Sequence, residues 1–221
     1  MGIKDLQERI EQHNNWLVIT GAGISVESGI PTYRNDNGDW IRSEPITHQQ
    51  FIEKESMRKR YWARSAIGWP MVAEAQPTST HFALVELEKK GILSGLITQN
   101  VDGLHQKAGH TEVIDLHGRV DKVKCLSCQM KVARAELQEK LIEKNPFLAK
   151  ITGEIAPDGD ASIEDHITEK IVLVSCSECD GTLMPDVVFY GGSVPAITNQ
   201  RTETLYSQSK GVLVLGSSLM V

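Results

Sequence analysis

Long apolar runs are absent from this 221-residue chain. The longest, such as Trp16 to Ile19 and Gly211 to Leu215, are strand-sized, whereas a spanning helix needs roughly 20 such residues. Positive charge is not in excess either. Lys and Arg number 23 against 29 Asp and Glu, and the net charge of −6 leaves no basic footprint for DNA or RNA. The opening MGIKDLQERIEQHNN contains acids and no apolar core, so it reads as neither a secretory signal nor a transit peptide. Leu6 stands where myristoylation after Met1-Gly2 wants Ser or Thr. Internal repeats and low-complexity segments are missing too. Hydrophobic residues at 40% and charged ones at 24% are ordinary for a globular protein. These features predict a soluble, cytoplasmic protein with neither nucleic acid nor membrane as partner, and they leave its oligomeric state open.

Cysteine is scarce, and its placement is informative. Four are present, as Cys125-Leu-Ser-Cys128 and Cys176-Ser-Glu-Cys179. Two Cys-x-x-Cys knuckles supply four soft thiolates to one tetrahedral ion, Zn2+ above all. Redox dithiols or two disulfides are the competing readings, but neither pair has a thioredoxin-like βαβ context and no secretory segment precedes them. With all four positions taken by sulfur, the single zinc is structural and the chemistry lies elsewhere.

Ile3, Leu6 and Ile10 share a face, which predicts a helix over 3–13. Trp16 to Thr20 reads as a buried strand running into Gly21-Ala22-Gly23, and 28–45 as a long Gly/Pro/Asn/Asp loop. Helical spacing returns at 47–67, at 80–90 and near 132–144. Further strands are predicted at Leu96–Thr98, Val113–Ile114, Val187–Phe189 and Val212–Leu215. Strands separated by helices indicate an α/β fold, a Rossmann-like doubly wound parallel sheet, with a small zinc-binding domain inserted at about 120–185. Such sheets commonly have six strands, so the last strand is expected to be missing from a chain that stops at Val221.

Three segments could carry chemistry, and each leaves a strand end. Gly21-Ala22-Gly23-Ile24-Ser25 lets backbone N–H groups approach a pyrophosphate, although the third glycine of the dinucleotide fingerprint is absent and the segment could be a plain turn. Thr98-Gln99-Asn100-Val101-Asp102-Gly103-Leu104-His105 offers amides and a carboxylate that could read a nicotinamide ribose and carboxamide, or merely cap a helix. His117 follows the third strand and precedes Gly118, which suits a general base for a ribose hydroxyl. Of the other histidines, His13, His48, His110 and His166 read as surface, while His81 and His105 read as satisfying local hydrogen bonds.

GAGISVESGIPTYR, TQNVDGLH, the LHG histidine, the two cysteine pairs, PDVVFYGG and the terminal GSSL occur in the order found in sirtuins, the NAD-dependent protein lysine deacylases. The resemblance spans residues 16–221, and Arg60-Tyr-Trp-Ala-Arg64, Gly68-Trp-Pro70 and Ala156-Pro-Asp-Gly-Asp160 are similar to the class II, sirtuin 4-like branch. It implies an NAD-binding domain from 1–119 and 186–221, a zinc-ribbon domain at 120–185, and a cofactor loop and helical segment at 28–78. By resemblance, Gly21, Ala22, Gly23 and Ser25 hold the phosphates with Gly216, Ser217 and Ser218 opposite. Pro31, Thr32, Tyr33 and Arg34 form the cofactor loop, Gln99 binds the ribose, and Asn100 and Asp102 bind the carboxamide. The family reaction begins with attack of the acyl oxygen on the ribose carbon. Nicotinamide leaves as an alkylimidate forms; His117 then deprotonates a ribose hydroxyl, which attacks the imidate, and the acyl group passes to ADP-ribose. The acylated-lysine peptide would pair with Val187, Val188, Phe189, Tyr190 and Gly191, and Tyr190-Gly191-Gly192 departs from the usual Phe-Gly-acid. Tyr61 and Arg64, three apart on a helix, either read an acidic acyl chain or pack and brace the long loop. Mono-ADP-ribosyl transfer or a lipoamidase-type activity is the alternative, and a truncated, inactive NAD-binding module is the second.

Overall fold

A computed structural model describes residues 3–32, 45–153 and 161–219. The elements in chain order are α1 (Ile3–Gln12), β1 (Trp16–Thr20), a 3-10 turn (Ala22–Ser28), α2 (His48–Glu53), α3 (Glu55–Glu74), α4 (Ser79–Lys89) and β2 (Leu93–Thr98). There follow α5 (Leu104–Ala108), β3 (Val113–Asp115), β4 (Gly118–Cys125), β5 (Lys131–Ala133), α6 (Arg134–Lys144) and a second 3-10 turn (Pro146–Lys150). The last are α7 (Asp165–Thr168), β6 (Leu183–Val187), α8 (Ala196–Gln208) and β7 (Gly211–Leu215). Two units result: one from Met1–Gly29, Gln76–His117 and Val194–Val221, the other from Ile30–Ala75 and Gly118–Ser193.

The first unit is built on a parallel sheet in the order β3-β2-β1-β7. Successive residues of a strand point to opposite faces, and across β1, β2 and β3 both faces are covered, whereas Val212 and Val214 of β7 are exposed. Leu17, Ile97 and Ile114 pack with Leu205 of α8 on one side. Val18, Leu84 and Leu96 pack with Leu87 of α4 on the other. That is why Trp16 to Thr20 reads as a continuous apolar run rather than an alternation. Leu17 and Val18 are both fully buried, and each such side chain contributes about 1.5–3 kcal/mol relative to exposure.

Three histidines also lie in this interior. His81, His105 and His110 are at most 6% exposed, so His110 is a core residue and not the surface residue its polar neighbours in sequence predict. Its partner is distant in the chain: Nδ1–H donates to the Glu88 carboxylate of α4 at 2.8 Å. Burial holds the His81 pKa down at about 4 and the His105 pKa at about 3, with the neighbouring imidazoles adding repulsion.

The second unit carries an antiparallel sheet in the order β5-β4-β6. Here the structure corrects the predicted fourth parallel strand. The strand is Leu183–Val187, it is antiparallel, and it pairs with β4 from Gly118↔Val187 to Cys125↔Leu183. Its start lies four residues past Cys179, so the second cysteine knuckle turns it directly back along the strand that leads to the first. The residues around 186–193 therefore cluster with the cysteine-bearing block, as do α2 and α3. Phe51, Trp62, Ala63, Val123, Leu137, Leu141, Ile171 and Met184 form its core. Polar side chains are sealed into it as well, Asn145 and Arg134 among them. Asn145 donates from Nδ2 to the Leu141 and Val172 carbonyls at 3.0 and 2.9 Å, and its Oδ1 accepts from the Val172 N–H at 2.7 Å. The Arg134 guanidinium lies over Trp62 and Trp69 at 5.5 and 5.2 Å, an arrangement in which the ring faces offset lost hydration.

The cysteine pairs form two copies of one turn. Cys125 O accepts from Gln129 N–H and Cys176 O from Asp180 N–H, while Cys125 N–H donates to Met130 O and Cys176 N–H to Gly181 O. The residue after each second cysteine is left-handed, Gln129 at φ 61 and Asp180 at φ 58. The four sulfurs converge, all within 4.8 Å of one another, and fit a tetrahedral structural Zn2+. Gly181 is required there, because a Cβ would sit 2.9 Å from Cys125 Sγ and 2.6 Å from Ser127 Oγ.

Stripping the metal with a strong chelator, with loss verified by elemental analysis, is expected to abolish hydrogen-exchange protection in β4, β5 and β6 while β1 and β2 stay protected. Acid is expected to act on the other unit. Stability is full above pH 6.5 and falls as pH drops toward 4, because the unfolded chain takes up protons that folded His81 and His105 refuse. Urea melts across that range check the sign.

Candidate active site

Because the sheet is parallel, its carboxyl ends face one way, and the register puts them in a row. Asp115 is opposite Thr98, Thr98 opposite Thr20, and Thr20 opposite Leu215. All three predicted segments and the Gly216–Ser218 loop start from that row. It is the crevice where open α/β sheets bind ligands.

The glycine turn is locked to the loop after β7 by backbone contacts. Gly21 N–H donates to Leu215 O at 3.1 Å and Gly23 N–H to Gly216 O at 2.9 Å. A Cβ on Gly21 would lie 2.7 Å from Gly216 O, and one on Gly23 2.8 Å from Gly216 Cα. The glycines thus serve the close approach of two chain segments, a role that a pyrophosphate contact alone does not reveal.

Buried polar bonds tie the second segment to the first. Asn100 Nδ2 donates to Gly21 O at 3.1 Å and to Ser25 Oγ at 3.2 Å. Ser25 in turn donates to Asp102 Oδ2 at 2.8 Å, and Asp102 Oδ1 accepts from Leu104 N–H at the start of α5 at 2.9 Å. Asp102 therefore takes the capping role that the sequence offered as one alternative, and Ser25 ties it to the glycine turn. Ser217 Oγ donates to Gln99 Oε1 at 2.6 Å, which leaves the Gln99 amide NH2 as the end available to a ligand.

His117 is half-buried, with Nδ1 3.0 Å from the Gln99 carbonyl oxygen. A carbonyl only accepts, so Nδ1 carries the hydrogen and Nε2 keeps its lone pair. Burial pushes the pKa below the usual 6.5, partly opposed by that same bond. At neutral pH the ring is a neutral base with its basic nitrogen defined. Gly118 follows at φ +78, where a Cβ would collide with Asp186 O, so only glycine turns the chain there.

The remaining predicted residues lie in the second unit or outside the described residues. Pro31 and Thr32 are half-buried; Tyr33 and Arg34 lie outside, as does the Ala156–Asp160 string. Tyr61 packs its ring against Phe51, Trp62 and Phe189 at 5.5, 5.0 and 5.3 Å. Arg64 Nε donates to Ala161 O at 2.7 Å, while Ala161 N–H donates back to Arg64 O at 3.2 Å. Val187 closes β6, Val188 is half-buried, and Phe189 is buried beside Tyr61. Tyr190 is exposed and its carbonyl accepts from His48 N–H at 2.9 Å; Gly191 is left-handed at φ +72.

Sequence reasoning missed Thr20 and gave Thr98 no role beyond opening the second segment. Both are buried, their hydroxyls are 2.9 Å apart, and Thr98 Oγ1 also accepts from Asn100 N–H at 3.1 Å. The available signal was that Leu-Val-Ile-Thr and Leu-Ile-Thr end their strands on the same polar residue.

A family model described as the Sir2 family matches residues 21–221. An NAD-dependent protein deacetylase of Xanthomonas axonopodis pv. citri is 49% identical over 216 residues, covering 98% of this chain and 74% of that protein. The NAD-dependent protein deacylase Sirt4 of Drosophila melanogaster is 43% identical over 222 residues, with 99% and 71% covered. Among solved structures, a Sir2–p53 peptide–NAD+ complex aligns with a TM-score of 0.77 at 28% identity, covering 100% of this chain and 78% of the other. Sir2Tm bound to a propionylated peptide aligns at 0.75 and 29%, with 100% and 78% covered. A match that begins at the locked glycine turn and continues through both the base-bearing strand end and the thiol cluster leaves one assignment: the chain belongs to the Sir2 family.

Proposed function

We propose that the protein is an NAD-dependent protein lysine deacylase that transfers the acyl group of a modified lysine to ADP-ribose with release of nicotinamide. The observation that carries this reading is the Nδ1–H···O=C bond from His117 to Gln99, which leaves an unprotonated Nε2 at the row of strand ends. Relatives at 43–49% identity bear deacylase and deacetylase names, and the donor set around the glycine turn fits a dinucleotide. Bound NAD supplies an activated ribose carbon with nicotinamide as its leaving group. The turn of Gly21, Ala22 and Gly23, with the loop of Gly216, Ser217 and Ser218 opposite, would line its phosphates, Ala22 N–H and the Ser218 hydroxyl supplying donors while Gly21 N–H, Gly23 N–H and the Ser217 hydroxyl hold the surrounding segments together, and Ser25 would position the turn. Gln99, oriented by Ser217, would bind the ribose through its amide NH2, and Asn100 and Asp102 the carboxamide. Pro31, Thr32, Tyr33 and Arg34 would form the covering loop. His117 Nε2 would take a proton from a ribose hydroxyl. The zinc set of Cys125, Cys128, Cys176 and Cys179 is closed and takes no part in this chemistry.

The protein partner would be an acylated-lysine segment paired with backbone from Val187 to Gly191; two of the solved Sir2 structures hold acyl or acetylated peptides. Neither nucleic acid nor a membrane is needed. Four thiols kept for metal suit a reducing, cytoplasmic compartment, and no described helix is long and apolar enough to cross a membrane. For the acyl group, the Arg64–Ala161 latch supports a structural role over recognition of an acidic chain, with Ala161 as the partner and not the long loop.

His117→Ala is expected to slow steady-state formation of the acyl-ADP-ribose product by about 10²–10⁴-fold with zinc content unchanged; turnover at the parent rate would remove the role assigned to the base. Activity should be lost as pH falls through a midpoint below 6.5, because protonation of Nε2 removes the acceptor; a midpoint at or above 6.5 contradicts the buried, neutral ring. Arg64→Met is expected to lower the melting temperature and leave the acetyl-to-succinyl rate ratio within about threefold, whereas a selective loss on succinyl peptides would restore the recognition role.

A further inference from the structure

Within the first unit, a cleft of about 430 Å³ opens between α8 and the start of strands β2 and β3. β3 is the edge strand of its sheet, so the cleft is open along one side. On the sheet its lining includes Gly95, which brings no side chain, and Ile114, which is 6% exposed. Leu205 seats the helix on β2, because a Cβ on Gly95 would lie 2.8 Å from Leu205 Cδ2.

Helix α8 faces the cleft through Ile197, Gln200, Arg201, Thr204, Leu205 and Gln208. Their spacing of three and four residues places them on one stripe. A stripe turned toward a sheet is ordinarily apolar, yet four of these six are polar, and α8 has no buried residue. Packing therefore does not account for the choice of side chains on the inner face of this helix. Thr204 Oγ1 is spent on the Gln200 carbonyl at 2.9 Å. Arg201 is left without an ion-pair partner among the described residues, and so is Glu112 on the strand side of the same cleft.

Glu112 stands two residues before Ile114 and shares its face of the sheet. Glu88, whose carboxylate accepts from Glu112 N–H at 3.0 Å, adds negative potential beside it. The cleft thus has a guanidinium on the helix wall, a carboxylate on the strand wall and an apolar surface from Ile114, Leu205 and Ile197. Ile197 is 64% exposed, an apolar rim that a bound side chain would cover.

These features select the ligand. A phosphate would meet one guanidinium and be repelled by two carboxylates. A divalent cation would find a single carboxylate in the lining and an arginine facing it. A hydrocarbon chain would leave the polar stripe unmatched. A small zwitterion with an apolar body matches every part. We propose that this cleft binds a free α-amino acid with an apolar side chain, its carboxylate held by Arg201, its ammonium by Glu112, and its side chain by Ile114, Leu205 and Ile197. β2 and β3 lead from the cleft to Thr98 and Asp115, so the site lies at the opposite end of these strands from the residues assigned to NAD. It does not depend on the deacylase reading.

L-Leucine titrated into the zinc-loaded full chain and followed by amide NMR is expected to shift residues 112–114 and 197–208 saturably, with a Kd of about 1 mM. Isopentylamine, which lacks the carboxylate, and 4-methylpentanoate, which lacks the ammonium, are each expected to bind about fivefold more weakly. Arg201→Gln should erase the difference between leucine and isopentylamine, and Glu112→Gln that between leucine and 4-methylpentanoate. Both side chains are exposed, so both variants should melt with the parent. Absence of a saturable shift at about 20 mM leucine overturns the site. Equal affinity of the parent for all three compounds overturns the zwitterion assignment. If the same amides instead shift with protein concentration alone and a dimer sediments, the face is a contact between copies of this chain and the proposal falls.

Discussion

The in-register alignment of Asp115, Thr98, Thr20 and Leu215 across four parallel strands is the constraint on which the site depends. A parallel ladder delivers every strand end to one edge, and hydrophobic cover on both faces keeps those ends from moving independently. Nothing in the individual motifs requires Gln99 to meet both His117 and Ser217; the sheet register does. A slip of one residue would turn Leu17 and Val18 to the wrong faces of the core, so the energy that protects the register also protects the chemistry.

Order is achieved differently in the two units. The first relies on apolar layers on both faces of the sheet and on buried hydroxyl, amide and imidazole groups whose hydrogen bonds interlock. Such networks are specific when complete and costly when one member is lost. The second has a larger apolar cluster, yet its sheet has only three strands, one of them Lys131–Ala133. Four thiols in two copies of one turn supply the missing constraint, and they clamp the start of β6 to the end of β4.

Much of this was legible in the residues. Strand-sized apolar runs gave β1, β2 and β3 because a sheet covered on both faces leaves no alternation to misread, and β7 reads the same way from its apolar residues although Val212 and Val214 are exposed. The cysteine spacing identified the thiol cluster because its turn geometry is local. Less visible was whatever depends on a distant partner. β6 reads as one more apolar strand, and only its pairing with β4 shows that it is antiparallel. His110 sits in a polar string, and Glu88 on another element makes it a core residue. The Gly21–Gly23 turn was found for a ligand's sake, whereas its tightest contacts are with Gly216. Tyr61 and Arg64 share a helix face as their spacing says, but spacing is silent about Ala161.

That a main-chain oxygen, and not a side chain, receives the His117 hydrogen separates two properties that often travel together. Any amino acid at position 99 presents the same carbonyl, so drift or redesign there can change what the side chain contacts, including the ribose contact proposed above, without disturbing which imidazole nitrogen is basic. Proton acceptance is thereby insulated from recognition, and a lineage could explore new ligands at position 99 while its acid–base machinery stays in register.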